Sequence, residues 1–215
     1  MAYLISLHIE HLPEGATLVL PQFSWEDYER LLEELRERPH LRISYDRGKL
    51  EIMSPLPEHE EYGRFIDDLV RVLASTHKLK VQKYGAATWK RQPLLRAVEP
   101  DCCYYVANAE RVIGKRKFDL EIDPPPDIVV EIDITNESLS KFPIYAALSV
   151  PEIWSYDSKT IQFYELAGGK YREVSKSRFF PRLTPSMLAA ALELNKTDGQ
   201  DAALDSFRQQ FISKD

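Results

Sequence analysis

The segment DIVVEIDIT (residues 127–135) is the most strand-like stretch of this 215-residue chain, and the rest of the sequence is arranged around it. Its apolar residues are Ile128, Val129, Val130 and Ile132. A short apolar run that does not alternate with polar residues is typical of a strand buried on both faces. We therefore expect this segment to lie near the middle of a sheet.

The same segment carries acidic residues on one side. Side chains along a strand repeat their direction every second residue, so Asp127, Glu131 and Asp133 point the same way. No basic residue within the segment neutralises them, and burial of an unpaired carboxylate is unfavourable. A Mg²⁺ ion would compensate, because it binds one or two carboxylates together with water and phosphate. The pattern alone equally allows an edge strand or a strand stabilised by salt bridges.

The residues before this strand predict two helices separated by a hairpin. WEDYERLLEELRER (25–38) has apolar residues at helical spacing, with Ser24 as N-cap and Pro39 after its end. LRISYD and KLEIMS alternate and are joined at Arg47 and Gly48, which indicates a β-hairpin. The second helix is EHEEYGRFIDDLVRVLASTHK (58–78), and two strands, LKVQKYGAATWK (79–90) and EPDCCYYV (99–106), follow it.

The residues after the central segment predict a helix, two strands and a helical end. They are SLSKFPIYAALSV (138–150), PEIWSYD (151–157), IQFYEL (161–166), a smaller strand, a helix at 185–194 and a polar tail that ends in DSFRQQFISKD (205–215). The order indicates an α+β protein with a mixed central β-sheet flanked by helices and little sign of a second core. We expect one domain over 1–215, with a decoration at 1–57, a core at 58–166 and a helical extension at 182–215.

Composition limits the function classes. The chain has 28 basic and 34 acidic residues, and its net charge of −6 counts against tight non-specific DNA binding while leaving room for a local basic patch. Cys102 and Cys103 are adjacent, which favours reduced thiols over a disulfide framework or a cysteine-rich zinc site. The N-terminus lacks the pattern of a signal peptide, and no run is long enough to span a membrane. We expect a cytoplasmic protein.

Several segments together resemble the Uma-two family of restriction-endonuclease-like proteins, which belongs to the PD-(D/E)XK nuclease superfamily. They are SPLPEHEEYGRF, EPD, DIVVEIDITNES and the run from Lys141 through Tyr145 to SVPEIWSYD, and the resemblance covers about residues 22–190. It implies a restriction-endonuclease-like fold, in which a twisted mixed sheet has a helix on each side. It also implies a metal site where the central strands diverge.

The resemblance assigns roles to three residues. Pro100 and Asp101 match the PD pair, so Asp101 would bind the metal, and Glu131 matches the second acid and would be the other ligand. The sequence departs from the superfamily pattern two residues later, where Asp133 stands in place of the usual lysine. In the resemblance that lysine is Lys141 on the following helix, whose long side chain would reach the same phosphate.

Supporting positions have alternative interpretations. His59 and Glu60 begin the second helix and would face the site, although Glu60 also suits the helix dipole and His59 also suits a local cap. Asp133 would act through a water on the metal or hydrogen-bond its loop. Gln82, on the strand before EPD, would orient a ligand.

DNA contacts and self-association are further expectations. Lys115, Arg116 and Lys117 form the most basic short segment and would hold a DNA backbone, unless they are simply a solvated loop. Lys78, Lys80, Lys83, Lys90 and Arg91 would extend that patch. Tyr145 and Trp154 suit the core better than base stacking, and the apolar region 153–163 would supply a homodimer surface.

The sequence therefore predicts a Mg²⁺- or Mn²⁺-dependent endonuclease that hydrolyses DNA, with Asp101, Glu131 and Lys141 as its catalytic residues. Two other functions stay open. One is a catalytically degenerate nuclease fold that serves as a binding or assembly module, and the other is a metal-dependent phosphodiesterase for small substrates.

Overall fold

The structure is a computed structural model that describes residues 9, 12–35, 41–133 and 140–212. Within them the strands are β1 (Thr17–Leu20), β2 (Arg42–Asp46), β3 (Lys49–Met53), β4 (Gln82–Lys83), β5 (Trp89–Arg91), β6 (Arg96–Val98), β7 (Cys102–Tyr105), β8 (Ile128–Ile132), β9 (Glu152–Tyr156), β10 (Ile161–Ala167) and β11 (Lys170–Val174). The helices are α1 (Trp25–Glu34), α2 (Pro57–His77), α3 (Ala109–Val112), α4 (Phe142–Ala147), α5 (Pro185–Asp198) and α6 (Gln200–Gln209).

The predicted central strand is β8, and every one of its residues is buried. It lies inside a six-stranded sheet of order β11-β10-β9-β8-β7-β4, antiparallel to β7 and parallel to β9. A parallel neighbour needs a crossover connection, and α4 lies in that connection between β8 and β9. The α+β class and the mixed sheet are thus confirmed.

The two faces of this sheet are covered by different helices. One apolar cluster combines Val130 and Ile132 of β8 with residues of α2, α5 and α6, such as Phe65, Leu188 and Phe207. The second cluster combines Val129 with α4 and with the loop after β7. Neighbouring residues of β8 therefore pack in opposite layers, as the two-residue repeat of a strand requires.

The N-terminal strands β1, β2 and β3 join β5 and β6 in a second sheet with its own apolar cluster, so the expectation of little sign of a second core is wrong. This sheet has the order β1-β3-β2-β6-β5, and Tyr28 of α1 packs on Ile43 and Tyr45. The β2–β3 hairpin is confirmed, and its turn residues Arg47 and Gly48 have φ values of 47° and 93°. Both angles are positive, as in the turns whose twist matches that of paired strands.

Several element boundaries differ from the predicted ones. The segment 79–90 is not one strand, because β4 and β5 lie in different sheets and Gly85 between them has a φ of 56°. The helix expected over 138–150 is described only as α4, and residues 134–139 lie outside the described part. The tail expected to be polar is largely α6, whose Ala203 and Phe207 are buried against the layer of α2.

The structure confirms the predicted core residues but not the predicted homodimer surface. Tyr145 and Trp154 are fully buried, which confirms them as core residues, and Cys102 and Cys103 are buried free thiols. Within the region proposed as a homodimer surface, Ile153, Trp154 and Phe163 are fully buried. The prediction that this region supplies a homodimer surface is wrong, because the apolar side chains of β9 and β10 pack against the helices inside the protein.

Candidate active site

Asp101 lies between β6 and β7, and it is held against the end of β8. Its backbone N–H donates to Val130 O at 3.1 Å, and its carboxylate Oδ2 accepts from the N–H of Ile132 at 2.7 Å. The register of β7 on β8 pairs Cys102 with Val130, so Asp101 stands beside Glu131. The two acids that the sequence singled out are therefore brought to adjacent strand ends, although thirty residues separate them in the chain.

Glu131 faces the layer that contains α4. Its Oε2 lies 2.6 Å from Lys141 Nζ, and its Oε1 accepts a hydrogen bond from the hydroxyl of Tyr145. The side chains of Lys141 and Glu131 are only 4% and 5% exposed, so this is a buried ion pair. The β8–α4–β9 crossover explains the contact, since it returns the chain across the face of β8 that carries Glu131. Lys141 thus points into the protein and onto the carboxylate of Glu131.

Arg42 joins this group from the other sheet, and the sequence interpretation missed it. Its guanidinium lies 2.5 Å from a carboxylate oxygen of Glu60, and its Nε lies 3.7 Å from Asp101 Oδ1. The side chain is only 7% exposed. Its position on the strand was the available signal for a role in the site, because its neighbours Leu41 and Ile43 are apolar and buried. Arginine is rarely buried in such a segment without a partner.

His59 and Asp101 line one cavity of about 480 Å³ beside α2. The ring Nδ1 of His59 accepts from the backbone N–H of Leu56 at 3.0 Å, which is the local cap that the sequence left open. The opposite ring atom, Nε2, is buried and has no hydrogen-bond partner among the described residues. The same is true of Asp101 Oδ1. Asp67 Oδ1, on the same wall, is a third buried atom without a hydrogen-bond partner among the described residues. A cavity with several such polar atoms is typical of a ligand-binding site.

Burial and nearby charges shift the pKa of two further acids at this end of the sheet. Burial raises the pKa of Glu99, while hydrogen bonds from Thr88 and from Ile43 N, and the charges of Arg42 and Lys141, act against it. Burial likewise raises the pKa of Asp133, which the charges of Lys141 and His59 counteract. Asp133 also uses its backbone N–H to bond Tyr156 O at 2.8 Å.

Gln82 and the basic loop lie apart from this group. Gln82 pairs with Tyr105, at the end of β7 opposite Asp101, so the structure does not bring it to the proposed ligands. The loop that contains Lys115, Arg116 and Lys117 begins and ends at that same far end of β7 and β8. Arg116 and Lys117 are exposed, whereas Lys115 is ion-paired with Asp123.

The cations expected to extend the basic patch are mostly paired with acids. The pairs are Lys80–Glu110 at 2.6 Å, Lys83–Asp67 at 3.0 Å, Lys90–Glu29 at 2.6 Å and Arg91–Glu121 at 2.6 Å. Each pair cancels the positive charge that would attract a phosphate. These residues therefore do not form the continuous basic surface that their spacing suggested.

The donor set fits a divalent cation bound mainly by water and substrate. Asp101 Oδ1 is a buried carboxylate oxygen that is ion-paired with Arg42 and has no hydrogen-bond partner among the described residues, and Glu131 stands at the neighbouring strand end. Over the described ranges, no three His, Cys, Asp or Glu side chains are grouped so that they could hold a metal. Mg²⁺ commonly uses only one or two carboxylates and completes its octahedral shell with water and phosphate oxygens.

The mixed sheet thus has two buried acids at neighbouring strand ends, and one of them is paired with a buried lysine from the crossover connection. The model of one family, Uma2, described as "Putative restriction endonuclease", matches residues 25–197. The chain therefore belongs to the Uma2 family.

A comparison with solved structures found a related fold. The chain resembles the crystal structure of a protein from Anabaena variabilis, titled a putative nuclease belonging to DUF820. The TM-score is 0.46 at 16% sequence identity, over 74% of this chain and 96% of the other. No curated protein matches the chain. Among the described helices, none combines the length and the apolar character needed to cross a membrane.

Proposed function

We propose that this protein is a metal-dependent nuclease that hydrolyses phosphodiester bonds in DNA, with Mg²⁺ or Mn²⁺ bound by Asp101 and Glu131. The observation that carries the proposal is the meeting of three parts of the chain at one end of β8. Asp101 is bonded to the backbone of Ile132, and Lys141 is ion-paired with Glu131 inside the protein. Family membership supports a nuclease, and DNA is the substrate class that the family description suggests.

Each residue then has a defined task. A bound divalent ion would polarise the scissile phosphate and lower the pKa of the attacking water. Asp101 presents Oδ1, while its bond to Ile132 N fixes the orientation of the carboxylate. Tyr145 and Lys141 hold the carboxylate of Glu131 in place. The Lys141 ammonium would stabilise the extra negative charge on the phosphate in the transition state.

A second candidate function is supported by the way in which Glu131 is held. Both of its oxygens already accept hydrogen bonds, one from Lys141 and one from Tyr145. Such a carboxylate is a weaker metal ligand than a free one, and the net charge of −6 is unusual for a DNA-binding protein. Both observations are compatible with a non-catalytic member of the family that serves as a binding or assembly module.

Metal binding separates the two candidates. In a calorimetric titration with Mn²⁺, we expect the wild-type protein to bind saturably and Asp101→Asn to lose that binding. Asp68→Asn is the matched control, because Asp68 is a half-exposed carboxylate of α2 that does not line the cavity. The same three proteins are then assayed on supercoiled plasmid with Mg²⁺. We expect Asp101→Asn to cut about a thousandfold more slowly, since metal catalysis contributes several kcal/mol.

The outcomes differ for each function. Saturable metal binding without cleavage of duplex, single-stranded or branched DNA would favour the binding module. Cleavage of a small chromogenic diester without cleavage of any DNA would favour a phosphodiesterase for small substrates. Metal binding and plasmid cleavage that are equal in Asp101→Asn and wild type would contradict the proposed site altogether.

A further inference from the structure

His59 is fixed in one tautomer by its own helix. Its Nδ1 accepts a hydrogen bond from Leu56 N, so that atom carries the lone pair and the neutral ring carries its proton on Nε2. The side chain is 2% exposed, and Nε2 is a buried atom without a partner among the described residues. His59 is therefore a hydrogen-bond donor that lacks an acceptor, at the wall of a cavity.

Arg42 adds a second, charged donor to the wall of the same cavity. Its guanidinium is anchored by Glu60 at 2.5 Å, which fixes its position at the start of β2. Its Nε lies 3.7 Å from Asp101 Oδ1, beyond the distance of a hydrogen bond. The guanidinium is thus close enough to offset the charge of Asp101, although its Nε does not hydrogen-bond to that carboxylate.

We propose that Arg42 and His59 form an anion subsite that binds the non-bridging oxygens of a phosphate group beside Asp101. The subsite rests on the proposed function for its role in DNA hydrolysis, but phosphate binding does not depend on catalysis. Arg42 and His59 are positioning residues here, since they hold the phosphate while other groups act on it.

The arrangement of donors favours phosphate over other ligands. A phosphate group has several oxygens, so it can accept from both Arg42 and His59 and still present an oxygen to a metal on Asp101. A carboxylate also has about four lone-pair sites, but they lie in one plane, whereas the oxygens of a phosphate group point in tetrahedral directions. A cation alone would satisfy Asp101 Oδ1 and leave His59 Nε2 buried without an acceptor. Arg64, exposed at the rim of the cavity, adds positive charge where the rest of a nucleotide chain would enter.

The first test is direct binding of inorganic phosphate in the absence of metal. We expect saturable binding by wild type, and we expect Arg42→Gln to weaken it about tenfold or more, because a charge-assisted hydrogen bond is lost. Arg71→Gln, which changes an exposed arginine of α2, is the matched control and should bind as wild type does. Equal affinities in Arg42→Gln and wild type, or no saturable binding by wild type, would overturn the subsite.

Substitutions of His59 separate its donor role from its capping role. Gln and Glu at the third position of a helix both accept from the N-cap N–H, so His59→Gln and His59→Glu keep the cap. Only Gln also keeps a donor. We therefore expect His59→Gln to bind phosphate within about threefold of wild type and His59→Glu to lose at least about tenfold. Similar phosphate affinities for the two variants would contradict the donor role.

A measurement on the wild-type protein guards against variants that fail to fold. Nitrogen-15 NMR of the histidine rings should show His59 protonated on Nε2, and its Nε2 signal should shift as phosphate is added. Protonation on Nδ1, or an Nε2 signal unmoved by saturating phosphate, would overturn the proposal. Asp101→Asn should keep phosphate binding while it loses metal binding. Failure of the metal site and failure of this subsite are thereby distinguishable.

Discussion

The two ends of β8 each carry a buried acid, and the two acids are treated in opposite ways. At the start of the strand, Asp127 is 1% exposed and accepts three hydrogen bonds, from Val106 N at 2.7 Å, Asn108 N at 2.9 Å and Asn108 Nδ2 at 2.7 Å. Beside the other end, Asp101 accepts one hydrogen bond from Ile132 N, and its buried Oδ1 has the charge of Arg42 nearby but no hydrogen-bond partner among the described residues.

The difference separates an acid that stabilises the fold from the acid that we propose as a metal ligand. The carboxylate of Asp127 fixes the loop after β7, and its bonds leave little for a ligand to contribute. Buried polar groups in folded proteins are almost always hydrogen-bonded, so an exception needs an explanation. Asp101 is such an exception, and it shares its cavity with two others, His59 and Asp67. The incomplete end of the strand is the end where we place the ligand.

The largest expected loss of stability follows from a substitution at the end of β8 that lies beside Asp101. Lys141→Met removes the cation from the buried pair and leaves Glu131 as an uncompensated charge. We expect it to lower the free energy of unfolding by about 3–5 kcal/mol, measured by urea denaturation. The double variant Glu131→Gln with Lys141→Met should recover much of that loss. A single variant as stable as wild type would show that the pair is not buried as described.

The next largest loss of stability is expected at the start of β8, where Asp127 lies. Asp127→Ala leaves the N–H groups of Val106 and Asn108 without acceptors, so we expect a loss of about 2–3 kcal/mol in the free energy of unfolding. Metal and phosphate binding should be unchanged under conditions where the variant is folded. Loss of metal affinity in folded Asp127→Ala would remove the contrast between the two ends of β8.

The smallest effect concerns Glu99, which lies beside the site. Burial raises its pKa in the folded protein, so the folded state holds this proton more firmly than the unfolded chain does. Stability therefore falls as the pH rises from the unfolded pKa through the folded pKa. Glu99→Gln cannot lose a proton, and above that range it should gain stability relative to wild type, by less than about 1 kcal/mol.

The control for Glu99 is the pH dependence of the difference between the two proteins. Urea unfolding is compared at a series of pH values between about 4 and 8, which brackets the ordinary range of carboxyl titration. The relative stability of Glu99→Gln should fall steadily as the pH is lowered. A difference that stays constant over the series would show that Glu99 is not the group that titrates.

The sequence predicted the central strand, the α+β class and the long helix α2 well, because these depend on local patterns. The continuous apolar run of β8 is typical of a strand in the middle of a sheet. The apolar residues at helical spacing that include Phe65 and Leu69 are typical of an amphipathic helix. It predicted less well where a short segment changes sheets. The pattern of residues 79–90 predicts one strand, yet the chain turns at Gly85 and places β4 and β5 in different sheets.

By itself, the sequence determined which acids stand at the ends of buried strands, since alternation along a strand and the order of the motifs are local properties. Only the tertiary structure decided what those acids meet. The crossover through α4 placed Lys141 on Glu131, and the hairpin of the other sheet placed Arg42 beside Asp101. Such contacts join residues far apart in the chain, and the hydrogen bonds that close one end of β8 and leave the other open exist only after the strands have paired.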